Sequence, residues 1–110
     1  MTAVSMGAPA AAQNATGDWR ATLPPPEFDY EYKGQMIVTK WNDYSLIRHI
    51  CKDIVPPAVA CSYRTYELDT GKPVSCLIIL GPLVWDDPRT LRHEIAHCNG
   101  WGADHKGARK

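Results

Sequence analysis

Apolar positions along the chain change their period several times, and each change marks an element. Gln35-Met36-Ile37-Val38-Thr39 is rich in β-branched and long apolar residues and predicts a short strand. Beyond it, Leu46, Ile47, Ile50, Cys51 and Ile54 recur at helical spacing, with Arg48, His49, Lys52 and Asp53 on the other side. That pattern predicts a helix from Tyr44 to Ile54, capped by Asn42 or Asp43 and stopped by Pro56-Pro57. Val59 to Tyr66 and Pro73 to Leu80 predict two more strands, joined by a turn at Leu68-Asp69-Thr70-Gly71. Leu77-Ile78-Ile79-Leu80 is apolar without interruption, as in a strand covered on both faces. Gly81-Pro82 ends it, and Asp87-Pro88 opens a second helix that runs to about Asn99. The order strand, helix, strand, strand, helix predicts an α+β fold: a three-stranded sheet packed with two helices.

The last helix has two distinct sides. At 100° per residue Leu91, Ile95 and Cys98 cluster, while His93 and His97 lie nearly opposite. Cys98 is thereby expected in the core. Residues four apart on a helix project together, so His93 and His97 can converge on one metal ion. Glu94 sits beside that point and is placed to take a proton from a water there. After the helix, Gly100 and Gly102 can adopt positive φ and turn the chain back, bringing Asp104 and His105 toward the two imidazoles. His105 is the first candidate for a third ligand and Asp104 the alternative. If His105 binds, Asp104 is a candidate to orient an imidazole from behind. His49 reads as a solvated histidine.

The run His93-Glu94-Ile95-Ala96-His97-Cys98-Asn99-Gly100-Trp101-Gly102-Ala103-Asp104-His105 resembles the signature HExxHxxGxxH of metzincin-type zinc peptidases, and the related forms with Asp as third ligand. His93, Glu94, His97 and Gly100 match position for position. The signature's third-ligand position falls on Ala103, which cannot bind metal, with Asp104 and His105 just beyond. The resemblance implies a minimal zincin-like core and a zinc-dependent metallopeptidase. In it His93, His97 and His105 or Asp104 would hold Zn²⁺, and Glu94 would be the general base. It also implies an extended peptide or exposed protein segment as substrate, laid along an edge strand by backbone pairing. The rival reading is a non-catalytic zinc-binding accessory domain, or a binding module stapled by disulfides.

Composition narrows the remaining choices. The chain has 110 residues, and a formal net charge of zero gives no support for nucleic acid or an anionic membrane as partner. No apolar run approaches the ~20 residues of a membrane span. A monomer is expected. Residues 1 to 30 read as a flexible leader with the stiff linker Leu23-Pro24-Pro25-Pro26, and residues 31 to 110 as the catalytic domain. Ala8-Pro9-Ala10-Ala11-Ala12-Gln13 looks like the end of a secretory signal cleaved after Ala12. The acidic residues Asp18, Glu27, Asp29 and Glu31 could reach the metal from the leader. Tyr63 and Tyr66 are weighed as oxyanion donors against plain strand residues, and Trp101 as a residue packed under the helix end. Cys51, Cys61, Cys76 and Cys98 suggest two disulfides, with Cys61–Cys76 favoured across the hairpin, in a secreted or periplasmic protein. Four buried thiols in a cytoplasmic protein are the alternative.

Overall fold

The computed structural model describes residues 4–6, 10–11, 23–51, 60–102 and 104–109. Strands β1 (Val4–Met6) and β2 (Ala10–Ala11) come from the leader. They are followed by β3 (Gln35–Lys40), α1 (Tyr44–Cys51), β4 (Ala60–Glu67), β5 (Pro73–Leu80) and α2 (Pro88–Cys98). The α+β class and the order of β3 to α2 are those the hydropathy pattern predicts. The expected helix end at Ile54, the Pro56-Pro57 stop and Val59 lie outside the described residues, as do Asp18 and the Ala12 cleavage point.

The three long strands form a mixed sheet. Central β5 runs parallel to β3, with Ile37 opposite Leu77, and antiparallel to β4, with Ser62 opposite Ile78. Gly71 turns the β4–β5 hairpin at φ 72°, as its place in the turn requires. On the far side of β4, β1 and β2 pair antiparallel, setting Met6 opposite Thr65 and Ala10 opposite Ser62. The leader, expected to be flexible, thus contributes two short segments to the sheet.

Each face of the sheet carries one helix, because β5 alternates between two apolar sides. Cys76, Ile78 and Leu80 join Tyr32, Ala60, Val84 and Cys98, with Leu91 and Ile95 of α2 against them. Ile79 joins Ile47 and Cys51 of α1, with Trp41, Tyr63 and Leu77 alongside. Asp43, not Asn42, caps α1, its Oδ1 accepting from the amides of Ser45 at 2.9 Å and Leu46 at 3.3 Å. Asp87 caps α2, accepting from Arg89 N at 3.0 Å and from the Thr90 hydroxyl at 2.9 Å.

This two-sided arrangement decides the disulfides. Cys61 lies on the α1 side and bonds Cys51, while Cys76 lies on the α2 side and bonds Cys98. The expected Cys61–Cys76 pair is wrong: Cys61 stands opposite Ile79, and Cys76 stands opposite Arg64. The two thiols are out of register and on opposite faces. No cysteine is free, which removes the alternative of four buried thiols. Spanning 10 and 22 residues, each bond should contribute about 3 kcal/mol by restricting the unfolded chain. Paired cysteines fit an oxidising compartment such as the extracellular space or a periplasm. Among the described residues no helix is long and apolar enough to cross a membrane.

Candidate metal centre

α2 buries both of its sides. Leu91, Ile95 and Cys98 meet the sheet as expected, while His93, Glu94 and His97 are also buried. Trp101 and His105 pack against the two imidazoles, and Ser62 of β4 meets Glu94. Asn99 Nδ2 donates to the carbonyls of Phe28 at 3.0 Å and Tyr30 at 2.7 Å, holding the linker against the end of α2. Asp29 accepts two bonds from Arg92, through Nε at 2.8 Å and Nη2 at 2.5 Å, and a third from Arg109 Nη2 at 2.8 Å. The Arg92 contact, with help from Arg109, holds the Asp29 carboxyl below the usual carboxylate range. Arg109 also donates to Pro24 O at 2.7 Å and pairs its backbone with Leu23. One carboxylate therefore ties linker, helix and C-terminal segment together.

Between these ties the chain folds back beneath α2. Gly100 takes φ 108°, and Trp101 N returns a bond to Ala96 O at 3.0 Å. Trp101 packs under the helix end, buried, with its ring stacked on His97 at 4.9 Å between centroids. Its indole N–H donates to Lys106 O at 2.8 Å and so pins the segment that carries His105. His105 itself adopts φ 56°, a left-handed conformation that a non-glycine residue holds only where its surroundings impose it. Gly102, expected to share the turn with Gly100, has no positive φ; His105 and Gly107 complete the reversal instead.

The result is a cluster of three imidazoles. His105 Nε2 lies 3.0 Å from His93 Nε2 and 3.2 Å from His97 Nε2. These three are the group of potential metal ligands found among the described residues. Tetrahedral zinc with Zn–N bonds of about 2.0–2.1 Å sets its nitrogen ligands about 3.3 Å apart, so the spacing fits one such ion. The tautomer of His97 fits as well. Its Nδ1 donates to Trp101 O at 2.7 Å, which leaves the Nε2 lone pair directed at the cluster. Three nitrogen donors favour zinc or another borderline transition metal over a hard, oxygen-seeking cation.

The other candidates are elsewhere. Asp104 is exposed and its Oδ1 accepts from Lys106 N at 3.2 Å, shaping the turn. Of the acidic leader residues, Asp29 serves the arginines, and Glu27 and Glu31 are exposed and outside the cluster. The Tyr63 hydroxyl donates to Ile50 O on the α1 side, and Tyr66 lies under the Arg64 guanidinium, 4.6 Å from its ring centre. Both tyrosines are strand residues. His49 is exposed. Two features went unread in the sequence, the Trp101 carbonyl behind His97 and Ser62, whose hydroxyl meets Glu94 at 2.5 Å.

Comparison with known protein families, with characterised proteins and with solved structures finds no match.

Burial pushes the His97 imidazole down to about 4; the Trp101 carbonyl opposes this shift, and the charge on His105 adds to it. The ring is therefore neutral near pH 7 and able to bind metal without first losing a proton. An unfolded His97 takes up a proton below about pH 6.5, whereas the folded one resists until about 4. Stability from this site should be full above pH 6.5 and decline as pH falls toward 4. In urea unfolding of the metal-free chain, the contribution of His97 should fall by roughly 2.5 kcal/mol between pH 7.5 and 4.5. A His97→Ala variant should lose that much less across the same interval; equal losses would contradict the assignment.

Proposed function

We propose that this domain is a zinc-dependent peptidase acting as a monomer on extended peptides or exposed protein segments. The reading rests above all on one observation: His105 Nε2 lies at zinc-ligand spacing from both helix imidazoles, and the buried Glu94 adjoins one of them in sequence. His93, His97 and His105 would hold the ion and leave a fourth position open. Bound zinc supplies Lewis-acid polarisation of the scissile carbonyl and of the attacking water. Glu94 would take the proton of that water and return it to the leaving amine. A non-catalytic site has less need of a buried carboxylate next to its ligands, since burying one without function is costly.

The leader bears on substrate access. The outer edge of β4, which an extended substrate would follow, is taken by Val4–Met6 and Ala10–Ala11. Cleavage after Ala12, as the secretory pattern suggests, would remove both segments. Zinc content and hydrolysis of an unstructured protein such as casein test the proposal, with and without chelator. One zinc per chain with chelator-sensitive cleavage supports it, and a zinc-loaded chain without cleavage contradicts it. Deleting residues 1–12 should raise kcat/KM by about tenfold, because a tethered competitor is removed. An unchanged value would place substrate elsewhere than on β4.

A further inference from the structure

Glu94 is fully buried, and a residue of the sheet meets its carboxylate. Alternate residues of β4 face α2, among them Ala60 and Ser62, the latter 3 % exposed. The Ser62 hydroxyl lies 2.5 Å from Glu94 Oε1 and 3.1 Å from the Glu94 main-chain oxygen. The two residues are 32 positions apart, so the contact is not a local turn. Within α2 the Glu94 carbonyl already has a helical partner in the amide four residues on. The helix therefore needs nothing from Ser62, and the shorter contact goes to the carboxylate. One hydroxyl close to both ends of the glutamate fixes the side chain relative to its own backbone. A free glutamate loses rotamer freedom on such fixing, and a general base is effective only when held in place.

We infer that Ser62 is the positioning residue for Glu94, holding its carboxylate in the single rotamer in which it serves as base. The inference rests on the peptidase reading for its effect on turnover, but the restraint itself can be measured without activity.

The test uses the full chain, loaded with zinc for kinetics. Ser62→Ala should lower kcat on casein by about tenfold, with KM and zinc content within twofold of wild type. In a Glu94→Gln background the same change should have no further effect, since the group being positioned is gone. Ser62→Cys, nearly the same size with a weaker donor, should fall between serine and alanine, and it stands in if the alanine variant does not fold. Independently of activity, NMR side-chain couplings should report one Glu94 rotamer in the wild-type chain and averaging in Ser62→Ala. Unchanged couplings, or equal losses of kcat in both backgrounds, would overturn the role of Ser62. A zinc-loaded wild-type chain that cleaves nothing would defeat the peptidase reading alone, and the couplings would still decide the restraint.

Discussion

Replacing Glu94 by glutamine is expected to lower peptidase turnover by between about 10² and 10⁴, the range over which general acid–base groups act. Glutamine matches glutamate in shape and can still accept from Ser62, but it cannot take a proton from water. The substitution therefore separates chemistry from construction. Zinc content should stay at the wild-type level because the three imidazoles are untouched, and stability should hold because the side chain keeps its shape and its Ser62 partner. The measurement is paired: metal analysis and hydrolysis of an unstructured protein by the same preparation. Activity within threefold of wild type would remove Glu94 from the mechanism and return the site to the non-catalytic reading.

Replacing His105 by alanine should weaken zinc binding by about a thousandfold, and replacing Asp104 should leave it within a few-fold. The contrast follows from where the two neighbours sit. His105 Nε2 is within 3.2 Å of both helix imidazoles, whereas the Asp104 carboxylate is exposed and bonds the Lys106 amide. Structural zinc sites with four protein ligands bind with roughly 10–16 kcal/mol, so one ligand in such a set accounts for about 2.5–4 kcal/mol, the upper end of which is about a thousandfold. Competition against a chromophoric chelator measures both variants. Comparable weakening by Asp104→Ala would mean that the carboxylate, not the imidazole, is the third ligand.

These two residues also mark how far the chain could be read unaided. His93, Glu94 and His97 were legible because helical geometry alone relates positions one and four apart. Past the helix no such period exists. The choice between Asp104 and His105 depends on a left-handed residue and on Trp101 bridging to Lys106, neither of which leaves a sequence pattern. β3, α1 and the β4–β5 hairpin were legible from alternation, caps and a turn glycine. The disulfides were not, because pairing follows the face on which a thiol lies. Cys61 and Cys76 look like hairpin partners until the register puts Ile79 and Arg64 opposite them. The core side of Cys98 was readable from the helix projection, but its partner required knowing which side of β5 Cys76 occupies. Ser62 carried no signal at all, since a serine in a strand is unremarkable until a helix is laid across it.

The Cys76–Cys98 bond has a consequence beyond fold stability. Cys98 directly follows His97, so the disulfide and a bound ion would fasten the same last turn of α2. Two ligatures that favour one ordered state are coupled, and such coupling is reciprocal. If the intact bond raises zinc affinity tenfold, zinc must make the bond tenfold harder to reduce, about 30 mV for a two-electron couple. Redox state and metal occupancy would then report on each other, and a reducing environment would act on this site much as a chelator does.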